Sequence, residues 1–277
     1  MKRFFSTYLL FALSLSIYAQ DNLSIQFDYA NTLYKTGQYF DAITEFKRLL
    51  FFSPQKKYSY DANILIGKCY KAGAKFDDAI KYFSVAELNT NSAEQKIEAK
   101  FQIVRANILR RTTNRALEIL NELEKEISQK QLLDSVNYWK GWSYIFADNW
   151  KEASAAFGKI KSNHELKKLC DQIENDKVSV TFTKVISYIL PGSGQIYTGN
   201  ILPGLMSFGW NILGGYLTVN SFVEDRVFDG AVIGSLIWLR FYRGNIQGAE
   251  NSAIQKNIDI SNKALRFLQF EYKGAKP

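Results

Sequence analysis

The residues of this sequence that could do chemistry are few and scattered. There is one histidine, His164, and the two cysteines, Cys69 and Cys170, stand far apart in the chain. A single histidine excludes an H-E-x-x-H zinc motif, and no C-x-x-C pair occurs. Neither a G-x-S-x-G elbow nor a Walker lysine is present. The sequence therefore predicts no catalytic residues, no metal site and no cofactor, and it indicates a non-enzymatic protein.

These isolated residues have ordinary structural interpretations. His164 is surrounded by lysines and a glutamate, so we expect it on the solvated surface of a helix. Cys69 is expected as a buried free thiol rather than as part of a disulfide framework. Neighbouring carboxylates such as Asp77 and Asp78 are expected to face solvent.

The glycine-rich stretch 192–194 is the remaining chemical candidate, as a nucleotide-binding loop. Tyr197 occupies the place of the third glycine, and the segment that follows is uncharged rather than amphipathic. A nucleotide site is therefore not expected. The net charge is +8, from 35 basic and 27 acidic residues, but no stretch forms a polybasic tail, so nucleic acid is not expected as a partner.

An internal repeat predicts the helices that must position any functional site. Alanines recur every 37 residues, at Ala42, Ala79, Ala116 and Ala153. Small residues precede three of them by twelve places, and a large apolar residue follows each by four. A period of this length is typical of stacked helical repeats, in which each unit is a pair of short antiparallel helices. We expect alanine at the anchor because closely crossing helix backbones leave no room for a longer side chain.

The pattern resembles the tetratricopeptide repeat family over about residues 24–160. Three of the four units carry the resemblance. In the first unit the matching residues are Ala30, Leu33, Gly37, Tyr39, Ala42, Phe46 and Pro54, and in the second they are Gly67, Tyr70, Phe76, Ala79, Phe83 and Ala86. In the fourth unit they are Gly141, Tyr144, Trp150, Ala153 and Phe157. The third unit departs from it, with Asn107 and Thr113 where aromatic residues are expected and Arg111 at the turn. The fold expected is all-α: a helical-repeat solenoid of about four helix-turn-helix units, with residues 161–177 as a capping helix or a linker.

The resemblance also implies a binding site, because the first helices of such repeats line a groove that captures partner peptides. The corresponding positions here are Asn31, Tyr34, Lys68, Lys71, Arg105, Tyr138 and Trp142. Cations together with aromatic rings suit an extended segment that carries acidic and apolar side chains. Alternatively, the three aromatic residues pack against neighbouring helices.

The chain begins with features of a secretory signal. Lys2 and Arg3 precede an apolar stretch from Phe4 to Tyr18, and Ala19 stands before a possible cleavage point. We therefore expect a signal peptide at 1–19, with an uncleaved anchor helix as the alternative. The domains expected are then 20–177 for the repeats and 178–277 for a membrane-hairpin domain with a polar C-terminal helix.

The C-terminal third has a different composition. Ile201–Val223 contains no charged residue and is long enough for a bilayer-spanning helix, and a second apolar run follows at Val227–Leu239. The preceding segment resembles the P-G-x-G-Q-x-Y-x-G motif of small bacterial two-helix membrane domains, through Pro191, Gly192, Gly194, Gln195, Tyr197 and Gly199. These features predict a transmembrane helical hairpin in contact with membrane lipid.

Together these features suggest a membrane-tethered scaffold of the bacterial cell envelope whose repeats face the periplasm and bind a protein partner, with envelope assembly or secretion as the expected role. The orientation conflicts with the positive-inside rule, because Lys184, Arg240 and Arg243 would lie outside. Three explanations remain: the hairpin is partly interfacial, the motif is a third pass, or the repeats are cytosolic. An alternative function is a membrane enzyme or transporter subunit in which the hairpin is the functional part. The sequence does not define the oligomeric state.

Overall fold

The computed structural model describes residues 22–53 and 57–277. The expected signal peptide at 1–19 and the helix-ending Pro54 lie outside these residues. The described chain is helical, without strands, and its helix pairs form a repeat-like array, as the sequence predicted. It divides into two compact units: one ends at His164 and also contains Ala275–Pro277, and the other is Glu165–Gly274.

The first unit is built from helix pairs that follow the 37-residue period. Its described helices are α1 (22–35), α2 (Tyr39–Phe52), α3 (Ser59–Ala72), α4 (Phe76–Leu88), α5 (Ala93–Leu109), α6 (Thr113–Glu126), α7 (Lys130–Phe146) and α8 (Trp150–Ile160). All four anchor alanines are completely buried, each on the second helix of its pair. Burial of these alanines agrees with the close helix crossing expected at the anchor.

The turns within the pairs share one backbone conformation. The residue in the left-handed region recurs every 37 positions, at Gly37 (φ 80°), Ala74 (φ 56°), Arg111 (φ 69°) and Asp148 (φ 60°). In each turn the next N–H donates to the carbonyl five residues earlier, as in the bond from Lys75 N to Tyr70 O at 2.9 Å. This is the Schellman arrangement that ends a helix. Arg111, which departs from the family pattern, therefore occupies a turn with the same geometry as the others.

The second unit contains the remaining helices. They are α9 (Glu165–Asp176), α10 (Val180–Ile189), α11 (Ser193–Tyr197), α12 (Ile201–Val223), α13 (Val227–Val232) and α14 (Leu239–Phe270). A π-helical turn, Ile233–Trp238, joins α13 to α14. The apolar segment predicted at Ile201–Val223 is thus one helix, and the polar residues 224–226 separate it from α13.

The predicted transmembrane hairpin requires a correction. Among the residues that the structure describes, no helix combines the length and the hydrophobicity needed to cross a membrane. Helix α12 has 23 residues, but Asn211, Asn220 and four glycines lie within it and lower its mean hydropathy.

Candidate peptide-binding groove

The seven groove positions taken from the repeat register all lie on the first helices of the pairs. They are Asn31 and Tyr34 on α1, Lys68 and Lys71 on α3, Arg105 on α5, and Tyr138 and Trp142 on α7. The structure brings Lys68, Lys71 and Arg105 into one basic cluster. Burial, together with the positive charges of Arg105 and Lys68, lowers the pKa of Lys71 to about 8. Such a cluster favours an anionic group, which would relieve the repulsion among the three cations.

The same Arg105 also binds a backbone carbonyl of the chain's own tail. Its Nη2 donates to Lys276 O at 3.0 Å, and the Tyr138 hydroxyl donates to Ala275 O at 2.5 Å. The tail residues Ala275–Pro277 belong to the first compact unit and have no regular secondary structure. Two groove residues therefore hold two consecutive carbonyls of an irregular segment, and both of these bonds are to its backbone.

Aromatic packing orients both donors. The guanidinium of Arg105 lies over the Trp139 ring at 5.0 Å, and the Tyr138 ring packs edge-on against Trp139 and Phe157. Burial lowers the pKa of Arg105, but a guanidinium remains charged in proteins. Its Nε is buried and has no hydrogen-bond partner among the described residues, which leaves one donor available. These aromatic contacts restrict both side chains, which lowers the entropic cost of ordering the donors when a segment binds.

A cavity of about 370 Å³ adjoins Arg105 between α5 and α7. Its polar lining includes Glu94, Glu98, Gln102 and Gln129. Gln102 donates to Glu98 at 2.6 Å, and its own Oε1 is buried without a hydrogen-bond partner in the described chain. The cavity therefore suits a side chain that donates hydrogen bonds.

The other groove positions do not join this site. Trp142 is only 2% exposed and packs near Phe146, which fits the alternative that it serves helix packing. Asn31 and Tyr34 make no hydrogen bond to the tail in the described residues. The Tyr34 ring lies 6.1 Å from that of Tyr39, and burial raises the pKa of Tyr34.

Sequence reasoning missed Trp139 and Gln102. They are 37 residues apart and precede Trp142 and Arg105 by three residues, so they occupy equivalent places one turn earlier on α7 and α5. Extending the repeat register by one helical turn would have identified them.

The isolated chemical candidates resolve as follows. His164 is not on a fully solvated surface as expected: it is half-buried, and its ring stacks on Phe157 at 5.2 Å. Both cysteines are free and buried. Asp77 is exposed and pairs with Arg110 at 3.0 Å. Within the described ranges, no cluster of three or more potential metal ligands occurs.

The glycine motif of the second unit is a tightly packed turn. A β-carbon on Gly192, whose φ is +89°, would lie 2.1 Å from Gly204 O. A β-carbon on Gly194 would lie 2.2 Å from the Ser187 hydroxyl. Gln195 is buried, and its Nε2 donates to Asn245 O at 2.9 Å. Close packing thus accounts for both glycines.

Comparison with known proteins returns no match: neither a protein-family model nor any curated protein matches this sequence.

Proposed function

We propose that the repeat unit is a non-enzymatic scaffold of the tetratricopeptide type that binds an extended segment of a partner protein. The observation that carries the proposal is the pair of hydrogen bonds from Arg105 and Tyr138 to consecutive carbonyls of the tail. Backbone recognition of this kind suits an extended peptide, while side-chain pockets supply specificity. The partner expected carries an acidic side chain for the Lys68–Lys71 cluster and a hydrogen-bond donor for the cavity beside Gln102.

In this proposal the tail is an intrinsic competitor for the groove. A segment of the same chain acts at an effective concentration of about millimolar, so an external peptide must displace it. The test is fluorescence anisotropy with a labelled peptide of the sequence 272–277. The full chain is compared with a variant that lacks residues 275–277. We expect the shortened protein to bind the peptide about tenfold more tightly or better, because the competing segment is gone.

The matched variants are made in the shortened protein. Tyr138→Phe removes the hydroxyl donor and is expected to weaken peptide binding about fivefold, as loss of one hydrogen bond does. Tyr144→Phe is the control, because Tyr144 lies on the same helix and its hydroxyl makes no hydrogen bond among the described residues. Equal binding by the full and shortened proteins, or equal effects of the two substitutions, would contradict the proposal.

The second unit is proposed to attach the scaffold to a lipid surface without crossing it. Support comes from α12, where Leu202, Met206, Leu213 and Leu217 share one exposed face. Exposed apolar faces of this extent favour membranes or protein partners. The charged and apolar start of the sequence supports a bacterial envelope location with the repeats in the periplasm. Flotation of the purified protein with phospholipid vesicles tests this attachment, and a protein that stays at the bottom of the gradient contradicts it.

A further inference from the structure

A second cavity, of about 860 Å³, lies in the Glu165–Gly274 unit and is separate from the peptide groove. Helix α12, the π-helical turn and the start of α14 form its walls. Its polar lining consists of Gln195, Ser207, Ser235, Arg240, Arg243, Asn245 and Gln247. Single π-helical turns occur frequently at functional sites.

Two arginines at this cavity lack a counter-charge. Arg240 and Arg243 are one helical turn apart on α14, and neither makes an ion pair in the part of the chain that the structure describes. No carboxylate lines the cavity among those residues. A planar guanidinium binds phosphate oxygens through two parallel hydrogen bonds, so a pair of unneutralised arginines favours a phosphate group.

The inner wall of the cavity is a hydrogen-bond network in which one buried acceptor has no donor among the described residues. Asn245 is 3% exposed; its Oδ1 accepts from Gly192 N at 2.7 Å and from the Ser207 hydroxyl at 3.0 Å. Its Nδ2 donates to Ser187 O at 2.9 Å. Gln195 is 4% exposed, and its Oε1 is buried with no hydrogen-bond partner in the described chain. A buried acceptor of this kind requires a donor, such as a hydroxyl or an ammonium group.

The remaining lining is apolar. Pro203, Leu236 and Leu239 line the same cavity as the arginines. We infer that the cavity binds the phosphodiester headgroup of a phospholipid, with the phosphate on Arg240 and Arg243 and the headgroup's hydroxyl or ammonium directed to Gln195 Oε1. The apolar residues then contact the glycerol and the first acyl carbons. The identification of lipid as the source of the phosphate rests on the lipid attachment proposed above.

The test is isothermal titration calorimetry of the purified full chain with dihexanoyl phosphatidylglycerol below its micelle concentration. The double variant R240Q/R243Q is expected to bind about tenfold more weakly or worse, because charge-assisted hydrogen bonds to phosphate are lost. The matched control is K263Q/R266Q, which removes the same charge at the same spacing from exposed positions of the same helix. Its affinity should equal that of the unmodified protein, and an equal loss in both variants would overturn the site.

Two further titrations separate the possible sources of the phosphate. Inorganic phosphate alone should bind far more weakly than the short-chain lipid, and equal affinities would assign the site to a free phosphate instead. Dihexanoylglycerol lacks the phosphate, so its affinity for R240Q/R243Q should equal its affinity for the unmodified protein. Vesicle flotation tests the proposed lipid attachment separately from the headgroup site. If the protein binds the short-chain lipid but does not float with vesicles, only the attachment is refuted. If it floats with vesicles but does not bind the short-chain lipid, only the headgroup site is refuted.

Discussion

The Phe157 ring lies where a side chain on Gly141 would stand: a β-carbon on this glycine would be 2.4 Å from the ring. Gly67 and Phe83 show the same relationship, also at 2.4 Å. At these two places glycine leaves room for an aromatic ring beside the first helix of the pair. The corresponding residues of the third repeat are Val104 and Leu120, both completely buried. In the third repeat, valine thus stands in place of the glycine and the smaller leucine in place of the phenylalanine.

We predict that Gly141→Ala lowers the free energy of unfolding by about 1–3 kcal/mol, because the added methyl group forces the ring to move. Phe157→Leu in the same chain should restore part of that loss by reproducing the combination of the third repeat. Urea denaturation followed by circular dichroism measures both changes.

The control for this prediction is Gly73→Ala. A β-carbon on Gly73 would approach no atom closer than 3.6 Å, so this substitution should leave stability unchanged or raise it. A Gly141→Ala protein as stable as the Gly73→Ala protein would show that the ring does not constrain the glycine.

The turns within the helix pairs give a second prediction, because different residue types adopt the same left-handed conformation in them. Gly37→Ala adds a β-carbon that meets no atom within 4 Å, so its effect is conformational alone. We expect it to lower the free energy of unfolding by about 1 kcal/mol. Ala74→Gly should raise it slightly, because glycine adopts φ near +56° without strain. Thermal denaturation of both variants provides the measurement, and changes of the same sign would contradict the explanation.

The period predicted the helix pairs well because it records helix contacts that recur in every unit. The same register placed Arg105 and Tyr138 on the first helices. It could not predict that both bind the tail, since Ala275 and Lys276 lie well over a hundred residues beyond them in the sequence. The bilayer-spanning prediction was wrong for another reason: absence of charge was taken as sufficient, although asparagine and glycine lower hydropathy without adding charge.

Lys71 provides a pH-dependent prediction. Its pKa in the folded chain is about 8, below its ordinary value of 10.5, because burial and nearby cations disfavour the ammonium form. Between these two values the unfolded chain binds more protons, so stability should rise as the pH increases through this window. Lys71→Met should reduce that rise. Urea denaturation at pH 7.5, 9 and 10 measures it, and Lys75→Met, an exposed lysine, is the control.

The same lysine should report on an acidic ligand. A carboxylate bound near Lys71 raises the pKa of its ammonium, so binding at pH 8.5 should be accompanied by proton uptake. Calorimetry of an acidic peptide in two buffers with different ionisation enthalpies measures the uptake in the variant that lacks residues 275–277. Lys71→Met should abolish it, and uptake that persists in this variant would assign the proton to another group.

Asn245 is predicted to be the main polar support of the second unit. Its amide bonds to Gly192, Ser207 and Ser187, so Asn245→Ala leaves buried partners unsatisfied and should destabilise this unit by about 3 kcal/mol. The reactivity of Cys170 reports this destabilisation. Burial raises the pKa of its thiol to about 12, so the thiol reacts with a labelling reagent only when the second unit opens.

Maleimide labelling of native protein, quantified by mass spectrometry of each cysteine peptide, makes the measurement. Cys170 should react much faster in Asn245→Ala, while Cys69, a buried thiol in the first unit, is the internal reference. Asn220→Ala is the matched control, since among the described residues this amide donates only to Glu224, at 3.1 Å in an exposed bond. If both substitutions accelerate Cys170 equally, the Asn245 network is not what holds the unit together. If neither does, the amide contributes less than its buried bonds imply.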